Sequence, residues 1–533
     1  TGAFENNIFV GVEMLREVQT KYGKVRGLPA ADPRITSFKG IPFAMPPVEK
    51  NRWRAPQPCQ KWQGVKDCYK FAPISVQNTP GLGTDVYCKE WHVDPEIPMS
   101  EDNLYLNIWT PAKKADENLP VLIWYFGGGF QWGYTAEMEF DGERLARRGI
   151  IVVSVNYRLN VFGFLAHPEI TKESPDAPGN FGLLDQHAGL KWVYENISAF
   201  GGDPEKITIS GQSAGAGSVM HQITTEKNKG LIKGAVIFSG MISSPYGKGG
   251  IGCPMKLKDA EKWGVEFFEF MGVNSLEKAR SIEANKLLAK YDEFVTRHPR
   301  MFTIEDGQFC TAAPTETLLN NAGLDIPILA GNTADEFLNF IPALDETELS
   351  EKAEEIYGAA AKEFLSFPQA KVTTGKAPEF PFGPFGASVE GKKQKYAEIS
   401  GIELSVKKVF EARKEKGNTN NFYYYRFNTN IPGPDNPGTF HSVDLWFFFE
   451  TLAKSWRPFV GTHYDLSREM CNYWANFVKN GDPNGKDSTG EQMPEWKPYE
   501  PSSKWEMEFA PSGSVPKKED ETEFKNFLRK HMF

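Results

Sequence analysis

The sequence lacks the long apolar run that a membrane-spanning helix needs. Among its 533 residues no stretch of about 18 or more apolar residues occurs, so we expect no helix that spans a bilayer. Clusters of Lys and Arg are also missing, and 60 basic residues are outnumbered by 69 acidic ones, for a formal charge of −9. This balance argues against a nucleic-acid partner and against binding to an anionic membrane surface.

Cysteine is scarce, and its spacing does not indicate a metal site. The six cysteines are Cys59, Cys68, Cys88, Cys253, Cys310 and Cys471. None forms a CxxC pair and no His stands at zinc-ligand spacing from them, so we predict no bound metal. A disulfide between Cys68 and Cys88 is one expectation, and small buried thiols are the alternative. The first residue, Thr1, fits a removed signal segment; we expect a secreted or otherwise exported protein, with a cytoplasmic one as the alternative.

Short apolar runs recur along the chain and alternate with helical patterns. The runs cover residues 121–126, 150–155, 207–210, 235–238, 326–329 and 422–427, the last of which we take as the final strand. Continuous runs of this length are typical of strands buried on both faces. With helices between them, they predict an α/β fold whose central, mostly parallel sheet is flanked by helices.

Two longer regions interrupt this alternation. Residues 240–325 and 339–420 are polar and mainly helical in pattern, which we interpret as excursions from the sheet rather than separate domains. Residues 372–391 are rich in Pro, Gly and Phe and predict an ordered but irregular loop. We therefore expect a single domain over residues 1–533.

A serine stands where a strand pattern meets a helix pattern. Residues 211–215 read Gly-Gln-Ser-Ala-Gly and match GxSxG, with Ser213 at the centre. A strand pattern precedes them and a helix pattern follows, which is the context of a nucleophile elbow. A turn rich in Gly and Ser without any chemistry is the alternative interpretation.

Three glycines close the apolar run 121–126. Because Gly127, Gly128 and Gly129 have no side chains, their backbone can approach a substrate closely. Their N–H groups, with that of Ala214, could then face a carbonyl oxygen that becomes an oxyanion. A flexible loop is the alternative.

A nucleophilic serine needs a histidine as its base, and the order nucleophile, acid, histidine restricts the choice. Five histidines follow Ser213. His221 is expected on the helix right after the serine, where it would point away, and His531 lies in the tail, which leaves His298, His441 and His463. His441 is favoured because it follows the run 422–427, and His463, expected on a loop before the C-terminal helix, is the reserve.

Two carboxylates that could serve as the acid follow the run 326–329. Asp335 and Glu336 are adjacent, and either could reach the histidine. Asp306 is a weaker rival, because it lies in an Asp-Gly turn signal.

At this point the sequence resembles the type-B carboxylesterase (cholinesterase-like) family of α/β-hydrolases over nearly its whole length. The stretches that carry the resemblance lie at residues 38–47, 52–56, 100–108, 156–158, 179–186, 200–204 and 481–484. The most specific are Ser-Glu-Asp-Asn-Leu-Tyr-Leu-Asn at 100–107 and Gly-Asn-Phe-Gly-Leu-Leu-Asp-Gln at 179–186.

The resemblance implies a site and a mechanism. It selects Ser213, Glu336 and His441 as the catalytic triad, and its oxyanion hole corresponds to Gly128, Gly129 and Ala214. It implies an acyl-enzyme intermediate without a cofactor, and large helical excursions over the active site.

The chain departs from the family's pattern at three positions that matter. Asn103 and Ser75 stand where the family often has Cys, so the usual first disulfide is in doubt. Gln212 stands where choline-type members have Glu, and we therefore expect no strong preference for choline esters. Trp91 could still form an aromatic wall of the pocket.

Aromatic residues around the predicted site indicate an aromatic substrate. We expect Phe130, Trp132, Trp91 and Gln212 to contact the substrate, although most aromatic residues in such runs belong to the core. The finer prediction is a feruloyl-type esterase that acts on hydroxycinnamate esters, either small or linked to an oligosaccharide.

Other functions compete with this interpretation. A non-catalytic binding or adhesion member of the same fold would usually lack a triad residue, and a lipase would show interfacial activation. Residues 247–252 match GxGxxG, which suggests nucleotide binding, but Cys253-Pro254 follows where a helix should continue. We interpret this stretch as a loop.

Overall fold

The computed structural model of the protein describes residues 14–83, 85–241, 246, 253–336, 341, 343–372 and 400–532. Two predicted loops fall outside these ranges. Of the irregular loop at 372–391 only residue 372 is described, and the glycine-rich stretch 247–252 lies wholly outside.

The strands and helices follow one another through most of the described chain. The strands are β1 (Glu17–Gln19), β2 (Lys24–Arg26), β3 (Leu28–Pro29), β4 (Thr36–Pro42), β5 (Val65–Asp67), β6 (Tyr105–Thr110), β7 (Leu119–Tyr125), β8 (Ile151–Val155), β9 (Gly202–Gln212), β10 (Gly234–Phe238), β11 (Met255–Lys256), β12 (Ile304–Glu305), β13 (Ile328–Thr333), β14 (Phe422–Phe427), β15 (Trp505–Ala510) and β16 (Gly513–Lys518). The α-helices are α1 (Tyr87–Glu90), α2 (Glu143–Ala146), α3 (Asn160–Phe164), α4 (Pro168–Glu173), α5 (Phe181–Asn196), α6 (Ala214–Thr224), α7 (Leu257–Met271), α8 (Leu276–Arg280), α9 (Ala284–Phe294), α10 (Pro314–Leu319), α11 (Glu346–Tyr357), α12 (Ala361–Ser366), α13 (Gly401–Glu415), α14 (Asp444–Phe448), α15 (Gly461–Asn480) and α16 (Glu523–His531). No helix of the described ranges combines the length and the apolarity that a bilayer crossing requires.

One large mixed sheet organises the fold. Within the described ranges it has eleven strands in the order β16, β15, β14, β13, β10, β9, β7, β8, β6, β4, β3. The strands from β15 through β8 in this order are parallel to their neighbours, whereas β16 and the strands from β6 to β3 pair antiparallel. The parallel centre was predicted, but the antiparallel flanks were not.

Both faces of the sheet are covered, because alternate side chains of a strand enter different cores. On β7, Leu122 and Trp124 join the core that contains Trp474 of α15. Ile123 of the same strand joins the core that contains Val219 of α6. A strand buried on both faces has no polar alternation, which is why the central strands read as continuous apolar runs.

The predicted strand positions agree best in the centre of the sheet. The run 422–427 coincides with β14, and the runs 121–126 and 150–155 overlap β7 and β8 to within two residues. The run 326–329 is displaced from β13, which continues to Thr333 because the polar residues 331–333 still pair with β14.

The prediction that the run 422–427 is the last strand is wrong. β15 and β16 follow it and close this side of the sheet. Their sequences, WEMEFA and GSVPKK, mix charged with apolar residues, and β16 lies at the edge with much of its surface in solvent. Edge strands of this kind leave no continuous apolar run to recognise.

The excursions are helical as predicted, with α7 to α10 between residues 240 and 325 and α11 to α13 between 339 and 420. Near the C-terminus, α15 ends at Asn480, and the φ of +68° at the following Gly481 does not continue a right-handed helix. The prediction that His463 lies on a loop is wrong, because α15 begins at Gly461 and His463 accepts the Val460 N–H from its first turn.

The thiols of all six cysteines are free. The Sγ of Cys68 lies 4.0 Å from the carbonyl oxygen of Gly40, and that of Cys88 lies 3.3 Å from Asp85 Oδ2. The suggested Cys68–Cys88 disulfide is therefore wrong, and the structure contains free thiols that are buried or partly buried except at Cys253, which is exposed.

Hydrogen bonds join the two positions where the family often has cysteines. Asn156 Nδ2 donates to Ser75 Oγ at 3.1 Å and to the carbonyl oxygen of Asn103 at 2.7 Å. All three residues are buried. One asparagine thus links the two segments without a covalent bond.

A buried cation holds the C-terminal part of the chain together. Lys407 of α13 contacts Glu403 at 2.7 Å, Glu506 of β15 at 2.7 Å and Glu519 at 3.0 Å. Burial raises the pKa of Glu403 and Glu519, but Lys407 and Lys525 together, with Arg529 also acting on Glu519, lower both to about 2. Removing Lys407 leaves Glu506 buried without this partner, while Glu403 and Glu519 keep Lys525 at 3.5 Å and Glu519 also keeps Arg529 at 2.6 Å.

We expect Lys407→Met to lower the free energy of unfolding by about 3–5 kcal/mol at pH 7. Chemical denaturation measures this, with Lys362→Met on the exposed surface of α12 as the control, expected to change it by less than about 0.5 kcal/mol. Because the pKa values of Glu403 and Glu519 are lowered, their stabilisation is present above the ordinary carboxyl range and is lost as the pH falls toward 2. The two variants should therefore converge at acid pH, and equal losses at pH 7 would contradict the assignment.

Candidate active site

Ser213 occupies a strained turn between β9 and α6. Its φ of +56° and ψ of −120° are unusual for a residue with a side chain. The turn is held by hydrogen bonds from Ser213 N to Phe238 O at 3.0 Å and from Gly217 N to Ser213 O at 2.9 Å. Its side chain is partly exposed although both neighbours in the chain are buried. The turn therefore presents one hydroxyl to the space above the sheet.

The glycines on either side of Ser213 are required by close backbone packing. A Cβ at Gly211 would lie 2.1 Å from the carbonyl oxygen of Gly215, and a Cβ at Gly215 would lie 2.0 Å from that of Tyr125. Neither distance is tolerable, so any side chain would push α6 away from β7 and β9. This accounts physically for the small residues of the GxSxG pattern.

The glycine loop after β7 lies directly beside the serine. β7 and β9 are parallel neighbours, with Tyr125 opposite Gly211. A Cβ at Gly127 would lie 2.4 Å from Gln212 O and 3.1 Å from Ser213 Cβ. Gly128 and Gly129 have φ values of +125° and +62°, in the region that favours glycine.

Two sets of backbone amides therefore meet near the serine hydroxyl. One set belongs to this glycine loop, and the other is the N-terminus of α6, whose first residue is Ala214. The first N–H groups of a helix have no partner within the helix and carry the positive end of its dipole. Such an arrangement stabilises negative charge that develops on a substrate oxygen.

Glu336 holds the ring of His441. Its Oε2 lies 2.5 Å from His441 Nδ1, and both side chains are buried. Its Oε1 accepts hydrogen bonds from Ser239 Oγ at 2.5 Å, Thr333 Oγ1 at 2.9 Å and Thr333 N at 3.1 Å. A carboxylate fixed this firmly sets the orientation and the tautomer of the imidazole.

Asp335, the neighbour over which the family resemblance selected Glu336, has a different place. Its Oδ2 accepts the N–H of Thr439 at 2.8 Å, and its own N–H donates to Thr439 O at 3.1 Å. Asp335 also forms a backbone bridge with Phe440. It therefore holds the backbone of the loop that carries His441, while Glu336 holds the ring.

The rival candidates are used elsewhere. Asp306 accepts the backbone N–H groups of residues 308, 309 and 310 at 2.9–3.0 Å within its own turn. His298 stacks on Phe294 at 3.8 Å between ring centroids. His463 caps α15, with its Nε2 2.9 Å from Asn430 O. These contacts give each side chain a structural role.

Two contacts of His441 were not predicted. Tyr87 of α1 donates its hydroxyl to the carbonyl oxygen of His441 at 3.1 Å, although the two residues are 354 positions apart. Gln212 Nε2 lies 3.3 Å from His441 Nε2. The sequence offers no signal for the Tyr87 contact. For the Gln212 contact its one signal is that Gln212 stands directly before Ser213.

The predicted aromatic contacts surround this centre at different distances. Trp91 stacks on Tyr87 with centroids 5.5 Å apart, so Tyr87 lies between Trp91 and His441. Phe130 packs against α6, since a Cβ at Gly217 would lie 3.7 Å from its ring. Both are almost fully buried.

Trp132 is turned toward another surface. Its Nε1 donates to Asn78 Oδ1 at 2.9 Å, and the Arg300 guanidinium lies 5.1 Å from its ring centroid. Its backbone closes the glycine loop through Trp132 N to Gly128 O at 3.0 Å. The residue thus shapes the loop, and its ring lies near a cation.

Over the described residues, no three His, Cys, Asp or Glu side chains are grouped as a metal ion requires.

Comparison with known proteins places this geometry in context. A family model described as "Carboxylesterase family" matches residues 15–527. The chain is 31% identical to a cholinesterase of Mus musculus over 514 residues, which cover 90% of this chain and 81% of that protein. It is 32% identical to a fumonisin B1 esterase of Sphingopyxis macrogoltabida over 486 residues, which cover 87% and 82%. A solved PNB esterase superposes with a TM-score of 0.73 at 27% identity, covering 96% of this chain and 99% of that one.

The two adjacent carboxylates give a matched test. We expect Glu336→Gln to lower kcat for p-nitrophenyl acetate by about 10⁴-fold, because an amide cannot stabilise the imidazolium that forms at His441. Asp335→Asn keeps an oxygen that can accept the Thr439 N–H, so its kcat should stay within about tenfold of the wild type. The reverse order of the two effects would contradict the geometry.

Proposed function

The chain belongs to the carboxylesterase family and is a hydrolase of carboxylic esters with the α/β-hydrolase fold, and we propose that it works through an acyl-enzyme formed on Ser213. The observation that carries the proposal is the 2.5 Å hydrogen bond between Glu336 and His441. It supplies an oriented base at the same sheet edge as the strained serine. No cofactor takes part in the proposed reaction.

The first half of the proposed reaction forms the acyl-enzyme. Ser213 Oγ attacks the ester carbonyl carbon while His441 Nε2 takes its proton. The N–H groups of Gly128, Gly129 and Ala214 stabilise the oxyanion, and each such donor contributes about 3–4 kcal/mol. When the tetrahedral intermediate collapses, His441 gives the proton to the departing alcohol.

The second half releases the acid. Water enters where the alcohol left, and His441 takes its proton as the water oxygen attacks the acyl carbon. The same amides stabilise the second oxyanion. Collapse returns the electron pair to Ser213 Oγ, which takes the proton back from His441, and the carboxylic acid leaves.

For the substrate we propose an ester with an aromatic group, of the feruloyl type, either small or linked to an oligosaccharide. The support is chemical. Trp91 stacks on Tyr87, and Tyr87 donates its hydroxyl to the carbonyl oxygen of His441. Such an aromatic pair favours binding of a planar ring of the substrate. The amide of Gln212 carries no charge, so it offers a cationic choline ester no electrostatic advantage. A lipase or a non-catalytic binding protein is the alternative that the assays below distinguish.

We expect the wild type to hydrolyse p-nitrophenyl acetate and Ser213→Ala to lose at least about 10³-fold in kcat. The physical reason is that no other group in the proposed site supplies the nucleophile. Release of p-nitrophenol measures both rates, and a fluorophosphonate that labels the wild type but not Ser213→Ala provides the control. A wild type that neither hydrolyses esters nor is labelled would instead support a binding protein.

We expect methyl ferulate to be hydrolysed with a higher kcat/KM than methyl butyrate. The aromatic ring would be bound against the Trp91–Tyr87 pair, which is worth about 0.5–1.5 kcal/mol. Trp91→Leu keeps an apolar wall and should reduce the preference severalfold without changing the rate on methyl butyrate. No turnover of methyl ferulate would overturn the aromatic proposal and leave the ester hydrolase intact. A rate that jumps above the solubility limit of the substrate would favour a lipase.

A further inference from the structure

The side chain of Gln212 lies between the loops that carry the two halves of the candidate site. Its Nε2 donates to Ser442 Oγ at 2.7 Å and lies 3.3 Å from His441 Nε2. Its Oε1 faces the glycine loop, where a Cβ at Gly127 would lie 3.0 Å away. Gln212 is buried, so its amide does not move freely among these partners.

The contact with His441 has a defined direction. A carboxylate only accepts hydrogen bonds, so the bond between Glu336 and Nδ1 places the ring proton on Nδ1. Nε2 then carries the lone pair, and the N–H of Gln212 is the group that points at it. This lone pair is the one that must accept the proton of Ser213 in the proposed reaction.

Ser442 links Gln212 to the segment that carries His441. Its φ of +84° is strained for a residue with a side chain. The residue before it, His441, accepts the Tyr87 hydroxyl at its carbonyl oxygen at 3.1 Å. Gln212 and Tyr87 therefore hold the segment His441–Ser442 through one hydrogen bond to the Ser442 hydroxyl and one to the His441 carbonyl oxygen.

We propose that Gln212 is a positioning residue that keeps His441 neutral and correctly turned until Ser213 reacts, with Ser442 and Tyr87 holding it in place. The proposal rests on the function proposed above. A hydrogen bond to the neutral form of a base disfavours its protonated form. The Gln212 N–H must leave the lone pair before Nε2 takes the proton of Ser213, so the contact holds the ring in the resting state.

Other titratable groups face His441 and contribute to any pH profile. They are Glu336 from the end of β13, Tyr87 from α1 and Asp444 from α14. Burial raises the pKa of Asp444 to about 7, and Tyr425 donates its hydroxyl to it at 2.7 Å. These groups are unchanged in variants of Gln212, so a comparison with the wild type isolates the effect of the amide.

The decisive variant is Gln212→Glu, which is nearly the same size but carries a charge. A carboxylate within hydrogen-bond distance of Nε2 stabilises the protonated ring, so we expect the acid limb of kcat/KM for p-nitrophenyl acetate to move up by about one pH unit or more. Gln60→Glu adds the same charge on the exposed surface and should leave the profile in place. An acid limb that stays or moves down in Gln212→Glu overturns the proposal.

A double-mutant cycle tests the hydrogen bond between Gln212 and Ser442. Gln212→Ala and Ser442→Gly each remove one end of the 2.7 Å hydrogen bond, and glycine tolerates the φ at position 442. We expect each to lower kcat by about tenfold with little change in KM, and the double variant to be no worse than the poorer single one. Fully additive losses would overturn the coupling.

A readout without turnover separates this proposal from the function on which it rests. The proton between His441 Nδ1 and Glu336 should give a downfield ¹H resonance that titrates with the ring. Its midpoint should lie higher in Gln212→Glu than in the wild type. An unmoved midpoint overturns the role of Gln212 even if the protein hydrolyses esters, whereas a moved midpoint without any hydrolysis supports that role and overturns the esterase mechanism alone.

Discussion

The close approach of three backbone segments beneath Ser213 is the constraint on which the site depends. A Cβ at Gly215 would lie 2.0 Å from Tyr125 O, and one at Gly127 would lie 2.4 Å from Gln212 O. Only glycine at these two positions allows β7, β9 and α6 to approach this closely. Their meeting holds Ser213 in a backbone conformation that costs about 1–3 kcal/mol in isolation. The surrounding buried sheet offsets that cost and keeps the hydroxyl beside the two sets of amides.

The parallel centre of the sheet then collects groups that are distant in sequence. The carboxyl ends of β9, β10, β13 and β14 lie at one edge, and Ser213, Ser239, Glu336 and His441 all follow these ends. Glu336 illustrates the dependence, because one of its oxygens is held by Ser239 after β10 and the other by His441 after β14. The position of the Glu336 side chain therefore depends on how the strands pair as much as on its place in the sequence.

Much of this could be predicted, and the failures have physical causes. The central strands were found because burial on both faces leaves continuous apolar runs. β15 and β16 were missed because their mixed composition reflects the edge of the sheet. Only the family resemblance selected Glu336 over Asp335, because the direction of each side chain depends on the bridge between Asp335 and Phe440, which no local pattern records. Similarly, nothing in the sequence indicates that Tyr87 meets the backbone of His441.

The sequence by itself determined the α/β alternation, the elbow around Ser213, the glycine loop beside it and the short set of carboxylates and histidines from which a site could be built. These are local properties: burial, backbone conformation and chain order are recorded by neighbouring residues. Only the tertiary structure decided that Glu336 holds the ring of His441 while Asp335 holds its loop, that the six thiols are free, and that the amide of Gln212 reaches His441. Those contacts join residues 104 to 229 positions apart, and they depend on how distant segments cross, which no single stretch of sequence encodes.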